Sequence, residues 1–496
     1  MKQALREFSL PLNTVFLYVD HAVTYIVGYI YWFVITKLAG ADVLGTVGTA
    51  VSFANLLFTL LGVNIHVGAL RFLGKAYAQR QKKEFSTFFI SSLIPIVVSS
   101  LFGVALVLLL RGWLQTLTGL PFTFLWLACL IAFFAVVSYL FRATFISIMR
   151  IQIITLGAVL AGVAKLGVGI TLVLLGWGAL GAGIGYSITF VISFSLLLGF
   201  LMWGPIPLTQ SMGAFNLRAA REIVKAGSAG WVPAVILAIG SQFGTLIVYG
   251  TWGAGETGLY YLAFAIFSAV SAIPSSIWVI MFPVLSGMPD GRKRFTWRGI
   301  KFGLAITVPL VTSLFLSSKV ILGLFGSEFL LVDRALALFL ASAVFFTIVN
   351  GIETLAYAYG RYWYVLVIGL ATNIPRVLLY IALVPLYGAN GAAIAFLGGI
   401  VIGFICSSII ALRMGMQLFW KQVLLILSLP IGSGAVVYLL QLHWTLGILL
   451  VFVVSLLGYI RLKIITRGEM REIIHSLYLE PLLRKTWPFE ELLRKR

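Results

Sequence analysis

Lys165 and Arg376 are the residues of this chain best suited to do chemistry, because each lies deep inside a long apolar run. An ionised side chain at the centre of a membrane helix costs roughly 2.5–3.5 kcal/mol by insertion scales unless it faces a cavity or a partner. The two cations are 211 residues apart. On inner helix faces they predict a cationic cleft able to grip an anion such as a diphosphate, Arg through a planar fork and Lys as a point charge. Pro375, directly before Arg376, frees a backbone carbonyl and predicts a kink toward that cleft. The plainer use of both cations is to pair with a carboxylate or carbonyl inside a bundle. Arg142 and Glu353 are also 211 residues apart and opposite in charge. Both are candidates for substrate contact, Arg142 also for a charge at the interface, and Glu353 for pairing with Arg376 or Arg142 or for taking up a proton. Asp20 beside His21 forms a second candidate ion-coupling site, since an imidazole next to a carboxylate can exchange protons near neutral pH. His66 is a weaker member of that group. Asn64, Gln242, Asn350 and Asn373 offer hydrogen bonds to sugars or, more commonly, between helices.

Enzyme chemistry finds little footing. The four His residues are His21, His66, His443 and His475, no two at metal-ligand spacing, and no phosphate-binding Gly-rich loop ends in Gly-Lys-Ser/Thr. The run Gly253-Ala254-Gly255-Glu256-Thr257-Gly258 matches a dinucleotide fingerprint in letters only, since it lies between helices and follows no strand. The expectation is a protein that is not an enzyme, with no catalytic residue, metal or cofactor. Cys129 and Cys406 lie inside apolar runs, where a free Cys acts as a small hydrophobe.

The elements that position these residues follow from composition. Of 496 residues, 61% are hydrophobic and 10% charged, with 35 Lys+Arg against 15 Asp+Glu. Soluble domains carry about 25% charged residues, so the chain reads as an all-α polytopic membrane protein. A nucleic-acid binder is disfavoured, because its bases would form a stripe on a soluble surface. Fourteen runs are long enough to cross a ~30 Å hydrocarbon core, at about 14–38, 43–68, 86–110, 121–143, 151–175, 179–203, 228–249, 258–285, 299–317, 335–358, 363–386, 390–412, 420–440 and 444–460. Lys and Arg gather in alternate loops, and the other side receives only Lys37, Arg111, Lys319 and Arg334. Positively charged loops stay cytoplasmic, so both termini are expected there. Met1–Leu10, with Lys2 and Arg6, leads into a run too long for a signal-peptide core, and an uncleaved first helix is expected.

An internal repeat organises the spans. Gly178–Ile184 matches Gly388–Ile394 at an offset of 210, Gly40, Ala41, Gly45 and Ala50 match Gly253, Ala254, Gly258 and Ala263 at 213, and Pro95 precedes Pro309 by 214. Six spans separate each pair. The predicted architecture is two pseudo-symmetric six-helix bundles, 1–203 and 228–413, followed by two extra helices over 414–460. A cytoplasmic linker with an amphipathic stretch over 204–227, including Pro205 and Pro207, joins the bundles. The loop Ser286–Arg298 reads as a topogenic turn, and 461–496 as a basic cytoplasmic tail.

The six-plus-six-plus-two arrangement, the stretch ITKLAGADVLGTVGTAVSFANLLFTLLGVNIHVGALRFLGKAYAQ over Ile35–Gln79 and VPLYGANGAAIA over Val384–Ala395 resemble a known family. It is the oligosaccharide or polysaccharide flippases of the multidrug/oligosaccharidyl-lipid/polysaccharide exporter superfamily. The resemblance implies a protein of the cytoplasmic membrane that moves polyprenyl-diphosphate-linked glycans by alternating access through a cationic cavity, with a monomer as the default state. Membrane lipid and glycan-assembly machinery are the implied partners, and Lys165 and Arg376 suit the cavity. One departure is that such flippases often carry bases in the first two spans, where this chain has Asp20 and His21. An acid in span one is also a feature of the cation-coupled multidrug branch, which stands as the alternative function. A membrane glycan polymerase or transferase is a third reading, disfavoured by short external loops whose acids are chiefly Asp42, Glu256, Glu328 and Asp333.

Overall fold

The computed structural model describes residues 2–203, 213–228 and 230–462. The tail beyond residue 462, with His475, and the linker prolines Pro205 and Pro207 lie outside these residues, as do the side chains of Lys2 and Arg6. Lipid offers no hydrogen bonds to a bare backbone, so a spanning chain must satisfy its N–H and C=O groups within each segment. The described residues are helical nearly throughout. In chain order the helices are α1 (Lys2–Gly62), α2 (Ile65–Ala78), α3 (Lys82–Leu109), α4 (Arg111–Thr118), α5 (Phe122–Ser147), α6 (Ile151–Leu172) and α7 (Gly178–Trp203). They continue with α8 (Leu217–Ser228), α9 (Trp231–Gly287), α10 (Arg292–Leu316), α11 (Ser318–Phe325), α12 (Asp333–Ala358), α13 (Tyr362–Arg413), α14 (Trp420–Leu439) and α15 (Trp444–Arg461).

Ten helical stretches are long and apolar enough to cross a membrane. Four of these are far longer than the ~20 residues one crossing needs, and glycine breaks each in two. The breaks fall at Gly40 in α1, at Gly176 and Gly178 between α6 and α7, at Gly253 in α9 and at Gly388 in α13. The halves restore the fourteen expected crossings, and an even number returns the chain to its starting side. One boundary differs: span two does not run through residue 68, because Val63 and Asn64 adopt positive φ and α2 restarts at Ile65. The short external helices α4 and α11, eight residues each, follow equivalent spans in the two halves.

The repeat is written in backbone dihedrals as well as in letters. Gly40 (φ 74°, ψ −173°) and Gly253 (82°, −169°) share one conformation, and Gly178 (49°, −126°) and Gly388 (54°, −130°) share another. Two further pairs with left-handed φ lie 211 residues apart, Arg80 (58°) with Gly291 (78°) and Met149 (57°) with Gly360 (69°). Each half therefore turns at the same places with φ of the same sign, although only one member of the latter pairs is glycine.

The chain divides into two compact units, Met1–Leu262 with Phe325–Phe329 and Tyr380–Ala392, and Ala263–Leu324 with Leu330–Leu379 and Ala393–Arg496. The first unit has one core around Tyr31, Val47, Phe124 and Cys129 and another around Ile65, Leu73, Phe85, Phe141 and Ile223. Helices approach closely where side chains are small: a Cβ on Gly185 would strike the backbone of Gly169, and one on Gly258 the carbonyl of Ala41. The amphipathic helix α8 buries Ala219, Ala220 and Ile223. Its start is fixed by Asn216, whose Oδ1 accepts from the Arg218 and Ala219 amides at 2.9 and 3.1 Å. The second unit packs around Trp278, Ile300, Leu304, Ile352 and Leu355, with Gly351 giving Trp278 its room.

Candidate functional site

Lys165 lies on α6 with 7% exposure. Its ammonium sits 4.2 Å from the ring centroid of Tyr186, 4.6 Å from that of Tyr31 and 6.0 Å from that of Trp32. Among the described residues no carboxylate lies within ion-pairing distance of it. The rings are held in place by their own contacts: the Tyr31 hydroxyl donates to the Ala182 carbonyl, and Trp32 packs on Tyr186 and Tyr261, each at 5.6 Å. Gly169 and Gly185 make space for Tyr31, since a Cβ on either would collide with it. Ring faces attract a cation by roughly 0.5–2 kcal/mol without cancelling its charge.

Arg376, on α13, has 3% exposure, its guanidinium carbon 3.9 Å from the ring centroid of Phe396. Asn373 accepts from an Arg376 guanidinium N–H at 3.2 Å and is itself anchored by donating to the Gly369 carbonyl at 2.8 Å. Gly399 leaves open the space the Arg376 stem occupies. The backbone stays helical through Pro375, and the departure from helical dihedrals in α13 falls at Gly388.

Tyr186 and Phe396 are 210 residues apart, the offset of the junctions Gly178 and Gly388 that precede them. Each repeat thus lays its buried cation over a ring from the equivalent position. Sequence reasoning missed the rings, although extending the 210-residue match by two residues would have found them. A reciprocal exchange accompanies this: Tyr31 packs over Gly169, while their counterparts at offsets 213 and 211 are Gly244 and Tyr380, which pack with the roles reversed.

Asp20 and Arg142 are brought together. The two carboxylate oxygens of Asp20 accept from Arg142 at 2.5 and 3.4 Å, with Asp20 1% exposed and the Arg142 side chain 23%. The ion-pair partner of Arg142 is thus Asp20, and of the alternatives for Glu353 the pairing with Arg142 is not the one formed. The ion pair also separates Asp20 from His21, because adjacent residues of a helix point about 100° apart and His21 faces outward, exposed. Tyr139 links this pair to His66, lying 6.0 Å below the Arg142 guanidinium and 5.5 Å from the half-buried imidazole. Glu353 is half-buried on α12, with no ion pair to a cation among the described residues. One turn earlier Asn350 donates to Ser275 at 3.3 Å, and Gln242 donates to Ser241 at 3.4 Å, both helix-level contacts. Two further carboxylates serve the glycine junctions: Glu328 accepts from the Ala41 amide at 3.1 Å and Glu256 from the Ala389 amide at 2.9 Å, each at the start of a helix half where a negative charge is favoured.

Comparisons with known proteins agree with this architecture. The family model described as "Polysaccharide biosynthesis protein" matches residues 119–332. No curated protein sequence matches the chain. Among solved structures, the lipid II flippase MurJ in an inward closed conformation aligns with a TM-score of 0.72 and 17% identity, over 90% of this chain and 98% of that one. An inward-facing multidrug resistance MATE family transporter of the MOP superfamily aligns with a TM-score of 0.62 and 16% identity, over 82% and 98%. The MATE multidrug transporter DinF-BH gives 0.60 and 17%, over 83% and 96%. The fold that the resemblance implied is upheld: the chain has the multi-pass membrane fold shared by the lipid II flippase and by multidrug transporters of the MOP superfamily.

Proposed function

We propose that this chain is a flippase carrying a polyprenyl-diphosphate-linked oligosaccharide across the cytoplasmic membrane for the assembly of cell-surface glycan. The observation that carries this reading is the pair of repeat-equivalent cations, Lys165 over Tyr186 and Arg376 over Phe396. A diphosphate is attracted to such charges in a low-dielectric setting, whereas a cationic drug is repelled. The family model's description and the fold shared with a lipid flippase support the same substrate class.

In this mechanism the bundles 1–203 and 228–413 rock as rigid bodies and open alternately to each side. The diphosphate meets Lys165 and Arg376 during transit, the sugars travel shielded from lipid, and the polyprenyl tail stays in the bilayer. Arg142 acts with Asp20 at the inner end of α5, and Glu353 contacts substrate or couples an ion. Among the ion-coupling candidates Asp20, His21 and Glu353, Glu353 is favoured, because Arg142 already holds Asp20.

The test is headgroup translocation of a fluorescent polyprenyl-diphosphate oligosaccharide in proteoliposomes. Transport by the intact protein supports the proposal. No transport, together with drug-driven proton exchange that depends on Asp20, assigns the chain to the multidrug branch instead.

A further inference from the structure

A cleft of about 400 Å³ opens at the start of α10, within the second unit and apart from Lys165 and Arg376. Among the described residues its wall carries four cations, Lys293, Arg294, Arg298 and Lys301, and no carboxylate. The positive-inside bias explains bases in a cytoplasmic loop. It does not explain why they continue into the helix on one side. Arg294, Arg298 and Lys301 stand at i, i+4 and i+7, a spacing that shares one helix face, and they pass from exposed through half-buried to 7% exposed. The wall is braced opposite them: Trp297 donates its indole N–H to Gln422 at 2.9 Å and packs against Phe419 at 5.5 Å between centroids. Beside the cleft α14 presents Trp420 and Leu424, exposed and apolar, to the surroundings of a membrane helix.

We propose that this cleft binds the phosphate group of an anionic phospholipid of the inner leaflet. Arg forks and Lys ammonium groups match phosphate oxygens, and basic pockets between membrane helices on the cytoplasmic side recognise anionic headgroups. A soluble phosphate ester offers the same oxygens. The apolar surface of α14 beside the opening favours the lipid, whose acyl chains would lie along it.

The full-length protein in detergent is titrated with phosphatidylglycerol, phosphatidylcholine and glycerol 3-phosphate, with bound lipid counted by native mass spectrometry. The intact protein binds phosphatidylglycerol saturably and ahead of phosphatidylcholine. Each cation near an anionic lipid is worth roughly fivefold in affinity, so Arg298→Gln with Lys301→Gln weakens phosphatidylglycerol binding about 25-fold and leaves phosphatidylcholine unchanged. Should that variant fail to fold, Arg294→Gln with Arg298→Gln, which alters the more exposed bases, gives the same reading. Unchanged phosphatidylglycerol affinity in a folded variant overturns the site. Displacement of the lipid by an equal concentration of glycerol 3-phosphate overturns the lipid assignment and gives the cleft to a soluble phosphate ester.

Discussion

Arg142→Gln tests the ion pair that joins α1 to α5. The substitution keeps much of the side chain's length and removes its charge, leaving the Asp20 carboxylate, 1% exposed, without the guanidinium that meets both its oxygens. Removing one partner of a buried pair typically costs about 3–5 kcal/mol, because an uncompensated charge remains. The Arg142 side chain is 23% exposed, so the lower end, about 3 kcal/mol, is expected. Asp20→Asn leaves the stranded charge on the more exposed residue and should cost only about 1–2 kcal/mol. In the double variant two amides replace two charges, and the loss falls to about 1 kcal/mol. Equilibrium unfolding in mixed micelles of detergent and SDS measures all four proteins and yields the coupling energy of the cycle. A loss below about 0.5 kcal/mol for Arg142→Gln, or additive single and double variants, would refute a buried pair at this position.

Glycine junctions separate backbone strain from crowding. Gly253→Ala meets no atom within 4 Å, yet its φ of 82° and ψ of −169° belong to a region nearly closed to other residues. It should destabilise by about 1–3 kcal/mol, read by the same unfolding assay. Gly45→Ala keeps ordinary helix dihedrals but drives a methyl into the Ala254 carbonyl, and should cost more. Met149→Gly relieves a left-handed φ of 57° at a place where the other repeat has Gly360. The roughly 1–2 kcal/mol relieved outweighs glycine's entropy cost of about 0.5–1 kcal/mol, so its unfolding midpoint should rise slightly while that of Met149→Ala stays level. Tyr186→Leu removes the nearest ring of the Lys165 cage and should lower stability by about 1–2 kcal/mol, an effect reduced in the Lys165→Met background to the part that comes from packing on Trp32.

Span number and the repeated glycine junctions were legible because hydropathy and glycine spacing are one-dimensional properties of a membrane chain. Gly40 with Gly253 and Gly178 with Gly388 carried the repeat in letters, and their shared dihedrals follow from the same residues. The surroundings of each charge were less legible, since they depend on which way a side chain points around its helix. Charge complementarity left Glu353 open as a partner for Arg376 or Arg142 or as a proton site, whereas packing of α1 against α5 supplies Arg142 with Asp20, 122 residues away in sequence. The cage around Lys165 needs Tyr31 from α1 and Tyr186 from α7, and no local pattern joins them. Ser286–Arg298 read as a topogenic turn, and only the helix that starts at Arg292 shows Arg294, Arg298 and Lys301 to share a wall.

The most direct measurement of the central claim is transbilayer movement of a fluorescent polyprenyl-diphosphate oligosaccharide in proteoliposomes holding intact protein, Lys165→Met, Arg376→Met or both. Each single variant should slow headgroup transit at least tenfold, and the double variant should fall to the rate of protein-free vesicles, all with unchanged helical content and elution. A folded double variant that moves the substrate as fast as the intact protein would contradict the claim that the two repeat-equivalent cations carry the diphosphate.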